Sequence, residues 1–369
     1  MTVTAEDILT GLRPWVEAES PTRETQAVNR VMDLVAADYR GIGFAVERIP
    51  GRDGLADHLR ATAPWGGEGP GILVLCHVDT VHGVGAMGPA FRREGDRVYG
   101  PGVLDMKGGG FLAFTALRLM AEEGTGGLQV RVLITGDEEV GSPTARALIE
   151  AEGERARFVL VPEPARNGGR IVTGRRGVGR YGVTVHGRAA HSGIAHAEGR
   201  SAIAEMARQV LKIEAMTDYD RGVTLNVGRI EGGTTDNTVP EWCRARVDLR
   251  MDDAGLAAEF DAALKALAPL ADGFEIEVQG GITRPPWRKT PAIQALFAHA
   301  QGLAAEIGFD LKDIHTGGGS DGSFLAARLP VLDGLGVDGA GAHTLEEHLY
   351  VSSLVPRMRL LKRLMETLA

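Results

Sequence analysis

The sequence predicts an α/β protein with a mostly parallel sheet covered by helices on both faces, into which a ferredoxin-like α+β domain is inserted. Strand and helix patterns alternate up to about residue 175, which is typical of a parallel sheet. The order then becomes strand, helix, strand, strand, helix, strand, as in a split-βαβ unit with one antiparallel sheet. After residue 285 the alternating α/β pattern returns.

In the first part of the chain, apolar residues recur at helical spacing over 24–40 and 107–123. The second of these helices is expected to end at Gly124, because glycine commonly follows the last turn of a helix. Continuous apolar runs bounded by turn residues predict strands that are buried on both faces. These runs cover residues 71–79, 128–136 and 157–163, and a short helix over 147–152 separates the last two.

The inserted part opens with a strand of alternating polarity over 178–187 and an amphipathic helix over 201–216. Its further elements are strands at 223–230 and 242–251, a helix at 254–269 and a strand at 274–279. The last part is expected to contain a helix at 292–307, strands at 311–316 and 331–334, and a helix from about residue 353. We therefore expect a main domain built from residues 1–175 and 286–369, with residues 176–285 inserted into it.

Composition places the chain among globular proteins and excludes several classes of partner. Its 369 residues are 44% hydrophobic and 24% charged, which are ordinary values. The formal net charge of -9 argues against nucleic acid, and the apolar runs are far shorter than the roughly 18–20 residues that cross a membrane. The N-terminus lacks a signal-peptide profile, and two cysteines make no disulfide framework. We expect a cytoplasmic protein.

Metal-capable side chains follow nearly every predicted strand of the main domain. Because ligands bind at the carboxyl ends of strands in an open α/β sheet, we expect these side chains to meet there. Two histidines among carboxylates favour zinc, cobalt or manganese over magnesium or calcium. The donors are too many for one tetrahedral ion and fit two ions that share a carboxylate, as in metal-assisted hydrolysis. The candidates are His77, Asp79, Asp105, Asp137, Glu138, Glu139, Glu163 and His343.

Five motifs around these residues carry a resemblance. With HVDTV, GPGVLDMKGG, GDEEVGS, VPEP and GAHT in this order and spacing, the chain resembles the co-catalytic zinc metallopeptidase family. That family includes bacterial glutamate carboxypeptidase, succinyl-diaminopimelate desuccinylase, acetylornithine deacetylase and aminoacylase. The resemblance covers almost the whole chain and implies a zinc-exopeptidase-like fold with an inserted lid and dimerisation domain. GPGVLDMKGG, TGGGSDG and GAHT look most like the glutamate carboxypeptidase branch.

The resemblance implies a ligand set for two zinc ions, with cobalt or manganese as substitutes. His77 and Glu163 would hold one ion, Glu139 and His343 would hold the other, and Asp105 would bridge both. Two bound cations would also dominate the local field, so the acidic overall charge does not conflict with an anionic substrate.

The resemblance also implies three residues that act in catalysis without binding a metal. Asp79 would orient His77, as metal-bound histidines usually require. Glu138 would be the general base, which takes a proton from water and passes it to the leaving amine. Because adjacent residues at a strand end point in opposite directions, we expect Glu139 to face a metal and Glu138 the substrate. His191, in the inserted domain, would stabilise the oxyanion, across a dimer in many members of the family.

The expected substrate is a small molecule or short peptide with a free carboxylate. Arg284, Asn237, Gly318 and Gly319 match family positions that hold this carboxylate, and an arginine fork and glycine N–H groups are suitable donors. We also expect a homodimer formed through the inserted domain, because its antiparallel sheet leaves edges that must be protected or paired.

The predicted function is amide-bond hydrolysis by a dinuclear zinc enzyme, with a carboxypeptidase for glutamate-like C-terminal residues favoured over an N-acyl-amino-acid deacylase or desuccinylase. A non-catalytic binding protein on the same scaffold is disfavoured because all five ligands, Asp79 and Glu138 are present. The segments 177–182 and 334–339 match the dinucleotide fingerprint, but that pattern is weak alone. No helix follows the first segment, and no strand with a ribose-binding acid follows the second.

Overall fold

The computed structural model describes residues 3–369 of the chain. The helices of this part are α1 Ala5–Glu17, α2 Thr25–Gly41, α3 Lys107–Glu123, α4 Arg146–Gly153, α5 Ala202–Glu214, α6 Ala254–Lys265, α7 Pro291–Ile307 and α8 Val351–Thr367. The strands are β1 Ala45–Ile49, β2 His58–Thr62, β3 Gly71–His77, β4 Arg92–Glu94, β5 Arg97–Tyr99, β6 Val130–Thr135, β7 Ala156–Val161, β8 Ile171–Arg175, β9 Gly177–His186, β10 Ala190–His191, β11 Val223–Gly232, β12 Thr238–Val239, β13 Trp242–Met251, β14 Glu275–Arg284, β15 Asp313–Thr316, β16 Val331–Asp333, β17 Gly339–Ala340 and β18 His348–Tyr350.

The chain forms two compact units, of which the first contains the main sheet. This unit comprises the chain up to Thr173, Lys289–His315 and Ser320–Ala369. Its sheet has the order β1-β2-β6-β3-β7-β16-β8-β15. The central strands β6, β3, β7 and β16 run parallel to one another, whereas β1, β2 and β8 form antiparallel pairings. The predicted α/β class with a mostly parallel sheet is therefore confirmed.

Strand β3 shows how the sequence sets the edge at which the site lies. Every residue of Gly71–His77 is buried, as expected of a strand covered on both faces. The register places His77 opposite Thr135 of the parallel strand β6, and β7 runs parallel on the other side of β3. The chain therefore leaves these three strands at the same edge of the sheet, where ligands bind in open α/β folds.

Helix α3 packs very closely on the chain that follows β7. A Cβ atom added to Gly109, in the first turn of α3, would lie 1.8 Å from the carbonyl oxygen of Pro162. Only glycine fits this approach, which brings the start of α3 next to the segment that carries Glu163. The helix ends as predicted at Gly124, which adopts a left-handed conformation with φ of 66°.

The second unit comprises Gly174–Arg288 and Thr316–Gly319. Its sheet has the order β11-β13-β9-β14 with every pairing antiparallel. With α5 and α6 in their predicted places, this is the βαββαβ arrangement expected of a ferredoxin-like domain. Its core is built from inward-facing strand and helix residues such as Val183, Ile213, Leu249 and Phe260. The lid and dimerisation roles of residues 176–285 stay predictions.

Several short elements were not predicted. Strands β1 and β2 form an antiparallel edge of the main sheet, and β17, β18, β5 and β4 form a separate small sheet. Helix α6 ends at Lys265 rather than residue 269, because Pro269 disfavours the helical conformation in the residue before it. Within residues 3–369, no helix is both long enough and apolar enough to cross a membrane.

Candidate active site

Asp105 lies between two histidines at the carboxyl edge of the main sheet. Its Oδ1 is 3.3 Å from Nε2 of His77, and its Oδ2 is 3.5 Å from Nε2 of His343. Asp105 comes from the loop before α3, and His343 adopts a left-handed conformation with φ of 64°. Each oxygen of one carboxylate thus faces a different histidine, which is the arrangement that a ligand shared by two ions needs.

One glutamate lies close to each of these histidines. Oε1 of Glu163 is 3.7 Å from Nε2 of His77, and Oε2 of Glu139 is 3.2 Å from Nε2 of His343. The structure therefore groups the residues in the two pairs that the family resemblance implies. Ligand atoms of His77, Asp105 and Glu139 also lie within 4.8 Å of one another, because Asp105 lies between the pairs. Their roles as ligands stay predictions.

The charges in this cluster fit a bound cation. Burial and the nearby charge of Asp105 raise the pKa of Glu139 to about 7 and that of Glu163 well above its usual range. Burial also acts to raise the pKa of Asp105, but hydrogen bonds from His343 and His77 hold it well below its usual value. Three crowded carboxylates are relieved by a divalent cation, and the imidazole and carboxylate donors are those that zinc takes.

Asp79 is fully buried behind this cluster. Nδ1 of His77 lies 3.0 Å from the backbone oxygen of Asp79 and 3.5 Å from its Oδ1. Since a carbonyl can only accept, Nδ1 of His77 carries a proton, and Nε2 is the nitrogen that faces the cluster. The Asp79 carboxylate also accepts bonds from Thr22 Oγ1 at 2.9 Å and from the amides of Glu138 and Glu139 at 3.2 Å each. It therefore fixes the turn that carries both glutamates.

The directions of Glu138 and Glu139 do not follow from strand geometry, so the expectation on this point is wrong in its premise. Strand β6 ends at Thr135, and the two glutamates lie in a 3₁₀ turn over Glu138–Val140, where strand alternation does not apply. The Glu139 side chain is 7% exposed and lies against His343. Glu138 is half-buried, and its negative charge adds to the effects that raise the pKa of Glu139. The role of Glu138 as base stays a prediction.

Asp137, another metal-capable candidate at this strand end, does not join the cluster through its Oδ2 atom. That oxygen accepts bonds from the backbone amide and hydroxyl of Thr144 at 2.7 Å each and from the Ala145 amide at 3.3 Å. Asp137 therefore holds the chain that leads into α4.

In the second unit, His191 and Asn237 are neighbours. His191 pairs with Thr238 across the bridge between β10 and β12, and the amide of Ser192 donates to the backbone oxygen of Asn237 at 3.0 Å. Both side chains belong to exposed residues. The structure thus brings the predicted oxyanion donor and one predicted substrate contact to the same place in this unit.

The other predicted substrate contacts also lie together in the second unit. Arg284 is only 3% exposed, and a Cβ atom at Gly319 would lie 2.7 Å from its Cγ. Arg175, which is not among the residues predicted from the sequence, is fully buried and donates to the carbonyls of Gly318 and Gly319 at 3.1 and 3.2 Å. The glycine segment therefore lies against two buried arginines. The sequence GRR at 174–176 is the feature that could have indicated Arg175.

Comparisons with known proteins agree with this geometry. The model of peptidase family M20/M25/M40 matches residues 73–367. Carboxypeptidase G2 of Pseudomonas sp. (strain RS-16) is 29% identical over 363 residues, which cover 95% of this chain and 86% of that protein. A succinyl-diaminopimelate desuccinylase of Sphingopyxis alaskensis is 30% identical over 356 residues, which cover 89% of this chain and 90% of that protein.

Solved structures share the fold over the whole chain. The M20 family metallo-carboxypeptidase Sso-CP2 from Sulfolobus solfataricus has a TM-score of 0.78 at 16% identity, with 98% of each chain covered. Aminopeptidase PepT from Bacillus cereus has a TM-score of 0.73 at 22% identity, with 99% of this chain and 98% of that chain covered. The predicted resemblance is confirmed: the chain belongs to peptidase family M20/M25/M40 and is a metal-dependent peptidase or amidohydrolase.

Proposed function

We propose that the protein is a dinuclear zinc carboxypeptidase that releases a glutamate-like C-terminal amino acid from an N-acyl or peptidyl substrate. The observation that carries this proposal is the position of Asp105, whose two oxygens face His77 and His343 at 3.3 and 3.5 Å. The similarity to a protein named carboxypeptidase G2 over 95% of the chain supports the choice of reaction.

Two sets of residues would hold the ions. His77 and Glu163 would bind one, Glu139 and His343 the other, and Asp105 would contribute one oxygen to each. When bound, zinc would polarise the scissile carbonyl and lower the pKa of the attacking water. Nitrogen and oxygen donors of this kind also accept cobalt or manganese.

Glu138 would move the proton. It is next to a proposed ligand, is half-buried, and has its backbone amide held by Asp79 at 3.2 Å. As the oxygen of water forms a bond to the carbonyl carbon, the Glu138 carboxylate would accept the proton that water releases. It would then give this proton to the amide nitrogen as the C–N bond breaks, so that the leaving amino acid departs as an amine.

The second unit would recognise the substrate. Arg284 would pair with the free carboxylate of the leaving amino acid, because a guanidinium presents two parallel N–H donors to a carboxylate. Backbone N–H groups of Gly318 and Gly319, and Asn237, would complete this contact. His191 would donate to the oxygen that becomes negative in the tetrahedral intermediate.

A homodimer through the second unit is part of this proposal. Strand β11 lies at an edge of its sheet, and an open edge is a template for pairing with a second copy. Three large apolar side chains are exposed on β11 and on α5, which packs against it: Ile230 at 51%, Leu211 at 73% and Ile203 at 42%. Pairing the two edges gives a closed two-fold dimer.

The second candidate is an N-acyl-amino-acid deacylase or desuccinylase, which the 30% identity to a succinyl-diaminopimelate desuccinylase favours. A panel of N-blocked dipeptides ending in different residues, together with N-acetyl and N-succinyl amino acids, separates the two when ranked by kcat/KM. We expect dipeptides that end in glutamate to rank first and turnover to stop on chelation of the metal. If N-succinyl or N-acetyl amino acids rank first, the deacylase is correct, and turnover that resists chelation contradicts both.

A further inference from the structure

A buried carboxylate outside the proposed ligand set lies four residues after His343. Glu347 is only 1% exposed. Its Oε1 accepts hydrogen bonds from the backbone amides of Leu104 at 2.9 Å and Asp105 at 3.0 Å. Its Oε2 lies 2.7 Å from Nε2 of His82 and accepts a longer bond from the Gly102 amide at 3.4 Å. Both oxygens are therefore fully used by donors.

These bonds join three segments that each carry a proposed ligand. His82 lies five residues after His77. Gly102 and Leu104 lie in the loop that contains Asp105, and Glu347 lies in the turn that carries His343. The turn is closed by bonds from the Thr344 amide to the Gly341 carbonyl at 2.9 Å and from the Glu347 amide to the Thr344 carbonyl at 3.1 Å. The Glu347 side chain thus connects the chain segments that carry His77, Asp105 and His343.

The bond to the Asp105 amide is the most direct of these connections. Two amides on one oxygen fix the peptide planes on either side of Leu104, and with them the direction in which the Asp105 side chain leaves the backbone. Strand pairing brings Glu347 to this place, because its neighbour His348 pairs with Tyr99, shortly before the loop. A carboxylate suits the position because it only accepts, and the three backbone amides and His82 Nε2 donate to it.

We propose that Glu347 is the positioning residue that sets the Asp105 carboxylate between His77 and His343, and that His82 holds Glu347 in place for this task. The proposal rests on the proposed function, in which Asp105 is shared by two ions. Groups that orient metal ligands in this way typically change metal affinity or activity by about 10- to 100-fold when they are replaced.

The test measures zinc affinity of the folded apoprotein by competition with a chromophoric chelator, without substrate. Glu347→Gln keeps the size of the side chain but turns an NH₂ group toward either the two amides or His82 and the Gly102 amide. We expect the zinc Kd to rise about 10- to 100-fold. At saturating zinc we expect kcat to fall with little change in KM. Glu346→Gln removes the same charge from an exposed neighbour and should leave the zinc Kd within about twofold.

A merely structural role would lower the thermal midpoint of the apoprotein and leave the zinc Kd of the folded fraction unchanged. If Glu347→Gln does not fold, His82→Ala replaces it, and we expect a smaller rise in Kd, below about tenfold. An unchanged zinc Kd in whichever variant folds overturns this inference and leaves the proposed function intact. A wild-type protein that binds no zinc overturns both.

Discussion

The carboxylate of Asp79 accepts a hydrogen bond from the backbone amide of Glu138 at 3.2 Å. The same carboxylate lies 3.5 Å from Nδ1 of His77, so one buried group supports a proposed ligand and the proposed base. Because Glu138 is held through its backbone, truncating its side chain leaves this support in place. The side chain of Glu138 can therefore be tested separately from the metal ligands.

Glu138→Ala should keep both metals and lose turnover. The variant removes the group that moves the proton, and such a loss typically lowers the rate by about 10²- to 10⁴-fold. The measurements are kcat on an N-blocked dipeptide and zinc content of the purified protein.

Glu139→Ala is the matched control, since it removes the neighbouring carboxylate, which lies 3.2 Å from His343. We expect this variant to lose one of the two ions. If Glu138→Ala loses an ion and Glu139→Ala retains both, the two roles are exchanged.

Gly109 and Gly302 form a pair that tests the packing of α3. In Gly109→Ala the new Cβ would meet the Pro162 carbonyl at 1.8 Å, and such overpacking costs about 1–3 kcal/mol. Gly302 lies within α7, and a Cβ there meets nothing within 4 Å, so Gly302→Ala should stabilise by about 0.5–1 kcal/mol. Calorimetric midpoints should move in opposite directions, and a Gly109→Ala protein as stable as wild type would show that the close approach is not required.

The largest elements of the fold could be predicted because their signal is local. Strands β3 and β6 are continuous apolar runs, and α3 has helical periodicity that ends at a glycine. Two strand ends identify His77 and Glu163 as candidates, the loop before α3 identifies Asp105, and the structure brings all three together. Short strands such as β4 and β17 carry no such signal, because two or three residues are too few to show a periodic apolar pattern.

The supporting contacts of the site could not be predicted from the sequence, because each joins residues that are distant in the chain. Glu347 bonds to the Asp105 amide across 242 positions of sequence, and Arg175 bonds to the Gly318 carbonyl across 143. A glutamate or an arginine in the sequence does not indicate which distant backbone group it will bond to. The relation of Glu138 to Glu139 was missed because a 3₁₀ turn, and not a strand, follows β6.

His58 should make the stability of the protein depend on pH. It is 2% exposed, and its Nδ1 accepts a bond from the Gly136 amide at 3.3 Å while its Nε2 lies 2.9 Å from Thr144 Oγ1. Burial lowers the pKa of His58, so the folded state takes up its proton at a lower pH than the unfolded chain does. The contribution of His58 to the free energy of unfolding is fully present above about pH 6.5 and decreases as the pH falls below that value.

The measurement compares wild type with His58→Gln by thermal unfolding at pH 7.5 and pH 5.5. We expect wild type to lose more stability than the variant over this interval, by no more than about 1.4 kcal/mol per pH unit, the limit for one proton. Equal losses in the two proteins would show that His58 takes up its proton at the same pH in both states.

The protein should be a dimer at micromolar concentration, and the surface formed by α5 and β11 should be responsible. Leu211→Asp places a charge at a side chain that is 73% exposed in one copy, where the dimer would bury it. We expect multi-angle light scattering to give twice the chain mass for wild type and the chain mass for the variant. Monomeric wild type with full activity contradicts the proposed assembly.

The enzyme should require a free carboxylate on the amino acid that it releases, and Arg284 should be the residue that recognises this group. The direct measurement is kcat/KM for one N-blocked dipeptide ending in glutamate, offered with its terminal α-carboxyl group free or as the amide. The two substrates are compared in wild type, in Arg284→Ala and in Arg180→Ala, which removes an exposed arginine from the same unit.

A carboxylate paired with a buried guanidinium should favour the free acid by about 30- to 1000-fold in wild type and in Arg180→Ala. Most of this preference should disappear in Arg284→Ala, through a loss of activity on the acid alone. If wild type hydrolyses the amide as fast as the acid, the enzyme does not recognise a C-terminal carboxylate and the carboxypeptidase assignment is wrong.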